Sequence, residues 1–159
     1  MSFWRHARAV VLLPGTVTVV IPALILWFGG AEVDWTTGVI GGVLIGLGFA
    51  LWVWTVKLFV MIGRGTLAPW DPTKQLVVAG PYRHVRNPMI TGVAMILAGE
   101  AVFFRSWGIA IELAIFVIVN AIYFPLAEEP GLRRRFGDEF DTYAANVPRW
   151  LPRLRPWNG

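Results

Sequence analysis

Residues 35–56 read WTTGVIGGVLIGLGFALWVWTV and hold no charged side chain. A helix rises about 1.5 Å per residue, so roughly 20 apolar residues cross a bilayer core of about 30 Å. In lipid the backbone amides must be satisfied inside the segment itself, which makes a helix the natural form for such a run. A second charge-free run, Ala9 to Ala31, precedes it. Over 159 residues the chain is 56% hydrophobic and 15% charged with nine Trp, well outside the mixture of a soluble domain. The sequence therefore predicts an all-α integral membrane protein of one domain, residues 1–159.

Working outward from that run, four transmembrane helices are predicted at about residues 9–29, 35–56, 88–104 and 109–127, with a cytoplasmic amphipathic C-terminal helix after them. Residues 1–63 form an N-terminal helix pair and 64–159 carry the polar motifs. Pro14 and Pro22 predict kinks in the first span. In the second, which can run on as helix to Gly63, Gly38, Gly42 and Gly46 strip one face to backbone. That face suits close helix packing within the bundle, or a seam between two copies of the chain in a homodimer. Residues 64–87 cannot form one helix, because Pro69, Pro72 and Pro81 interrupt them, and "QLVV" reads as a short extended piece. The third and fourth spans form a hairpin turned by Arg105, Ser106, Trp107 and Gly108.

Charge sets the orientation. The first connection holds Glu32 and Asp34, whereas the second holds Lys57, Arg64, Lys74, Arg83 and Arg86 against Asp71, and the tail is rich in arginine. By the positive-inside rule both termini and the long connection are cytoplasmic. Arg5 and Arg8 before an apolar run imitate a signal peptide, but the run is long and "GGAEVD" is a poor cleavage site, so an uncleaved first span is expected. The excess of Arg over Lys points to a bacterial cytoplasmic membrane. The net charge of +4 has its explanation at helix ends beside lipid headgroups, so no nucleic-acid partner is expected. With no cysteine, disulfides and thiol chemistry are excluded, and two distant histidines do not make a metal site.

In the tail, Leu132, Phe136, Phe140, Tyr143 and Val147 fall on one helical face, with Gly137 as a place to bend. Within the spans Glu100 and Glu112 call for a reason, since a carboxylate in lipid is costly. Arg105 between them offers an ion pair, with a water-facing or functional role as the alternatives. His84 is either a base or a solvated interfacial side chain. Glu128 and Glu129 close the fourth span, where a helix C-terminus favours cations, so they need a positive or hydroxyl-rich partner. The nearest supply is the "YRHVRN" stretch, 82–87, at the mouth of the third span.

These two stretches, "LVVAGPYRHVRNPMITG" and, further on, "EEPGLRRRFGDEFDTYAANVPRWLP", resemble the isoprenylcysteine carboxyl methyltransferase family of membrane enzymes over about residues 64–152. The resemblance implies S-adenosylmethionine as methyl donor and S-adenosylhomocysteine as product, in a cytoplasm-facing pocket capped by the C-terminal helix. It implies that Lys74, Gln75, Leu76, Val77, Tyr82, Asn87, Pro88, Met89 and Ile90 line the cofactor, with Glu128 on one of its polar groups and Glu129 beside it. Acids and aromatic rings suit a sulfonium, an ammonium and ribose hydroxyls. Asn87 and Ile90 stand where the family often has His and Tyr. Phe124 stands where eukaryotic members carry an Arg thought to hold the substrate carboxylate, which leaves Arg86 or Arg149 as anchors. The acceptor is expected to be lipophilic or lipid-like, entering sideways from the bilayer, and a phospholipid or amine N-methyltransferase of the same superfamily is the near alternative. An NADPH-binding sterol-reductase-like enzyme and a non-enzymatic membrane scaffold are the distant ones. The methyl-donor reading expects the two motifs to converge on one nucleoside-sized cavity.

Overall fold

A computed structural model describes residues 11–63 and 74–159. Outside the described residues lie Arg5, His6, Arg8 and the expected start of the first span, and also Arg64, Pro69, Asp71 and Pro72. The elements in chain order are α1 (Val11–Val20), α2 (Ile21–Gly29), α3 (Trp35–Met61), a short tight turn of helix at Gly80–Arg83, α4 (Pro88–Phe103), α5 (Trp107–Tyr123), a widely wound turn at Phe124–Glu128, α6 (Glu129–Phe136) and α7 (Asp138–Asn146). No strand occurs among the described residues; in "QLVV" Gln75 lies in a bend and 76–78 form no regular element.

Among the described residues two helices are long and apolar enough to cross a membrane: Trp35–Met61, and the continuous run Trp107–Phe136. Only 17% and 6% of their apolar stretches are buried within the protein, unlike the core helices of a soluble domain. Pro14–Gly29 and Pro88–Phe103 are apolar but shorter. The ends have local causes. Asp34 caps α3, its Oδ1 accepting from the backbone N–H of Thr36 at 2.8 Å and of Thr37 at 3.1 Å. Ser106 Oγ accepts from the Ile109 N–H at the start of α5. Pro88 stands in the first turn of α4, where its missing N–H costs no bond. Around Pro14 and again around Pro125 the helix widens, which accommodates a ring without an N–H. Helix therefore does not end at residue 127; it runs through to Phe136 and breaks at Gly137, whose φ of +54° disfavours any side chain.

The closest crossing in the molecule is the antiparallel one of α3 on α4, and other glycines than the expected ones build it. A Cβ on Gly41 would stand 2.6 Å from the Gly99 carbonyl oxygen, and one on Gly48 would stand 2.7 Å from that of Gly92. Four glycines at seven-residue spacing thus let two backbones touch. Among the described residues Gly42 and Gly46 have nothing within 4 Å and Gly38 meets only Val33, so the helix packing expected of the 38–42–46 face is not made by them. Where α1 and α2 meet α4 and α5, Val93, Leu97 and Ile109 form a buried core against Val17, Ile25, Leu26 and Phe116.

Arg105, at φ +50°, turns the α4–α5 hairpin. It reaches Asp34 at 3.7 Å and Glu32 at 3.9 Å across the neighbouring connection, not Glu100 or Glu112. Glu100 Oε2 and both carboxylate oxygens of Glu112 are buried and have no hydrogen-bond partner among the described residues.

Candidate functional site

Gly80 opens the polar stretch before α4 with φ +53°, and a Cβ there would press on Leu58 at 2.9 Å and on the Trp54 ring at 3.2 Å. The stretch thereby lies against the end of α3, with Pro81, Tyr82 and Val85 buried. Its polar groups are spent on the C-terminal tail. The Arg86 N–H donates to Pro148 O at 2.9 Å, the Arg153 N–H to His84 O at 3.0 Å, and the Trp157 N–H to Arg83 O at 3.0 Å. Side chains add to this ladder: Arg83 Nε donates to Trp157 O at 2.7 Å, His84 Nδ1 lies 2.8 Å from Arg153 O, and Arg83 also bonds Asn158. The Tyr143 hydroxyl donates to the buried Tyr82 carbonyl at 2.7 Å. Burial pushes the phenols of Tyr82 and Tyr143 above their usual range, so both stay neutral donors. His84 ties the tail to the loop before α4 through its ring and its carbonyl.

The tail brings Arg149 to the centre. Glu129 Oε1 accepts from Arg149 Nε at 2.6 Å and forms an ion pair with Arg86 Nη1 at 3.0 Å, while Oε2 accepts from Arg149 Nη2 at 2.8 Å. Three separate segments meet here, namely the loop before α4, the start of α6 and the tail. The side chains of Glu129 and Arg86 are 12% exposed and that of Arg149 is 32% exposed. Burial alone would raise the Glu129 carboxyl, but the Arg149 hydrogen bonds and the charges of Arg86 and Arg149 outweigh it and hold the carboxyl below its usual range. Burial lowers Arg86 despite the opposing pull of Glu129, and the Glu129 hydrogen bond raises Arg149. Two guanidiniums on one carboxylate leave an excess positive charge, and Arg86 Nε is buried without a partner among the described residues.

Glu128 faces elsewhere. It is half-buried and bonds the Tyr123 hydroxyl. Beside it Phe124 meets Tyr123 edge to face at 5.9 Å and Trp150 edge to face at 5.6 Å, so three rings stand at near right angles next to an acid. Trp150 arrives on the same tail as Arg149.

The expected site residues thus divide. Arg86, Arg149 and Glu129 are in direct contact, and the buried Asn87 reaches the Arg149 carbonyl through Nδ2 at 3.4 Å. Pro88 is buried in the first turn of α4, with Met89 and Ile90 half-buried beside it. Val77 is buried, Leu76 packs with Val78 on Phe140, Tyr143 and Val147, and Lys74 and Gln75 are exposed. Leu132, Phe136 and Trp157 complete that cluster, so the apolar face of the tail closes on the segment before α4. The two acids do not share a void with the polar stretch: Glu129 is bonded to it directly. A cavity of about 340 Å³ lies nearby, between Leu76, Val78, Arg83, Tyr143 and Trp157, and neither acid lines it. Sequence reasoning missed Trp150, Tyr143 and Tyr123. The "VPRWLP" stretch, with an aromatic next to an arginine between prolines, was the available signal for the first.

A family model described as phospholipid methyltransferase matches residues 36–139, from the first turn of α3 into α7. It takes in the whole polar stretch before α4, the wide turn and both acids. The chain belongs to the phospholipid methyltransferase family. Membership makes it one of a group of membrane methyltransferases and sets aside the scaffold and reductase alternatives. No curated protein matches the chain, and no solved structure matches it.

Proposed function

We propose that this protein is an S-adenosylmethionine-dependent methyltransferase of the bacterial cytoplasmic membrane that methylates the amine of a lipid-like acceptor and releases S-adenosylhomocysteine. Four bilayer crossings, near residues 9–29, 35–56, 88–104 and 109–127, put both termini and the site on the cytoplasmic side by the charge bias of the connections. The single observation that carries the choice of acceptor is Phe124, packed on Trp150 in place of a carboxylate-holding arginine. Glu129 holds Arg149 through two hydrogen bonds and pairs with Arg86, so a carboxylate acceptor would have to compete with Glu129 for either guanidinium. An ammonium finds what it needs in the ring faces of Phe124, Trp150 and Tyr123 with Glu128 alongside.

The residues fit a cationic nucleoside in kind. Glu128 and the amide of Asn87 can take its amino and hydroxyl groups, and Tyr82, Pro88 and Met89 supply apolar contact. Glu129 fits once Arg149 lets go, and Arg149 sits on the tail, so displacing residues 148–158 opens the site. When bound, the cofactor supplies an electrophilic methyl group on a sulfonium. The protein's own task is to hold the acceptor nitrogen in line at about 3–3.5 Å, to keep water out and to take a proton. Glu128 is the acid placed to take that proton from the ammonium, which frees the nitrogen lone pair. Tyr143, Val147 and the tail exclude water by closing over the loop before α4.

The test is transfer of a labelled methyl group by purified protein in lipid nanodiscs, given parallel lipids ending in an amine, a carboxylate or a phenol. Label in the amine lipid, lost in Glu128→Gln, is the expected result. Label confined to the carboxylate lipid would refute the acceptor, and no label in any would refute the activity.

A further inference from the structure

A second cavity, of about 380 Å³, lies away from the polar cluster, among the apolar helices. Its volume falls within the roughly 300–1,000 Å³ of small-ligand sites. The walls are Pro14, Gly15, Thr18 and Val19 of α1, Phe49 and Trp52 of α3, and Val93 and Ile96 of α4. The recess has a cause in the chain. α1 winds wide here, Pro14 withholds an N–H and Gly15 contributes no side chain, so α1 cannot fill the angle between α3 and α4.

The chemistry of the walls points to hydrocarbon. Thr18 spends its hydroxyl on the Pro14 carbonyl at 2.8 Å, which quiets a backbone group in an apolar setting. Val17, Leu26 and Trp52 pack on Val93 and Leu97 among the same helices. The outer rim is open, with Val19 63% and Phe49 55% exposed. Position links the recess to the site. Val93 lies five residues into α4 from Pro88, hence about 8 Å along the axis from the helix end that carries Asn87.

We infer that this recess binds the hydrocarbon chain of the methyl acceptor, with the polar end of the molecule lying toward Asn87 and Glu128. The inference rests on the methyltransferase reading and adds to it the place where chain length is measured. An acceptor with a chain that fills the slot is held at one depth, and that depth presents its amine to the aromatic corner.

The experiment uses the full chain in nanodiscs and a single-chain phospholipid with an ethanolamine headgroup and a diazirine near the end of its acyl chain. After photolysis, adducts are mapped by mass spectrometry. Adducts concentrated on the peptides carrying Val19, Phe49 and Ile96, and competed by the same lipid without the diazirine, are expected. Val19→Trp fills the mouth and should raise KM for a long-chain amine by roughly tenfold, the size of effect that pocket filling has on apolar discrimination. It should leave a short-chain amine unaffected. Val119→Trp, at an exposed position on α5, should change neither. Adducts spread evenly over exposed faces of α3 and α5 without competition would show bulk lipid only and overturn the inference, as would a Val19→Trp variant with unaltered chain-length dependence. Calorimetric binding of S-adenosylhomocysteine on the same preparation separates the two readings. If it persists while the slot is unlabelled, the slot assignment alone has failed; if it is absent while competed label enters the slot, the slot stands and the enzyme reading falls.

Discussion

Replacing Gly48 by alanine adds one methyl group at the place where two backbones touch. The new Cβ would lie 2.7 Å from Gly92 O and 2.9 Å from Ile96 N, against the 3.4 Å at which ordinary contact begins. The neighbours are backbone atoms of α4, which cannot rotate aside, so the helices must part by about 0.7 Å at that point or tilt. Parting them also loosens Gly41 against Gly99, one contact further along the crossing. Overpacking of this kind costs about 1–3 kcal/mol, and contact with backbone on both sides places Gly48→Ala toward the upper end. For a chain of this size 1 kcal/mol is worth about 2–4 °C of melting temperature, so a fall of roughly 5–10 °C is expected. Gly46→Ala is the matched control: nothing lies within 4 Å, and alanine gains up to about 1 kcal/mol in helix propensity. Intrinsic tryptophan fluorescence during a thermal ramp in detergent reads both, since the chain has nine Trp and no cysteine for a thiol dye. Equal melting temperatures for the two variants would refute the glycine crossing.

Glu129→Gln should cost roughly 2–4 kcal/mol, because it leaves Arg86 and Arg149 partly buried without their counter-ion; faster proteolytic nicking of residues 148–158 would confirm that the tail is what comes loose. The acid side of the stability profile should follow the same group. Glu129 titrates below its ordinary value of 4.5 when folded, so the unfolded chain takes up its proton first as pH falls. Its contribution is present in full above that value and disappears as pH drops through the lower, folded one. Melting temperature measured against pH should show this decline in the wild type and a shallower one in Glu129→Gln. Arg105→Gly should change stability by no more than about 1 kcal/mol in either direction, since an exposed ion pair is lost and a left-handed backbone is relieved.

The apolar runs made the helices readable, because only helix satisfies an uncharged backbone in lipid, and Pro88 marked the start of one, whereas the caps Asp34 and Ser106 were read only as loop residues. Gly38, Gly42 and Gly46 misled because four-residue spacing marks a face without saying whether anything lies opposite. The pairing of Gly41 and Gly48 with Gly99 and Gly92 depends on a register between two helices. The widening at Pro125 was equally hidden: it carries helix past the acids and turns Glu128 toward Tyr123 while Glu129 turns toward the arginines. That an acid at the end of α5 would meet the cationic stretch, as Glu129 does, followed from the hairpin topology. That the tail would supply the second arginine and Trp150 did not, because a ladder of backbone hydrogen bonds between 83–86 and 148–157 has no residue signature. Arg105 went to the wrong acids in the sequence because nearness along the chain competed with nearness across the two outer connections.

Calorimetric titration of the purified full chain with S-adenosylhomocysteine tests the donor site most directly. Saturable binding is expected, weakened by about tenfold or more in Glu128→Gln and in Asn87→Ala, the loss that removing a charge-assisted or buried hydrogen bond brings. The exposed Lys57→Gln should bind as the wild type does. No saturable heat, or affinities unaltered in both site variants, would contradict a methyl-donor site at the meeting of α4, α6 and the tail.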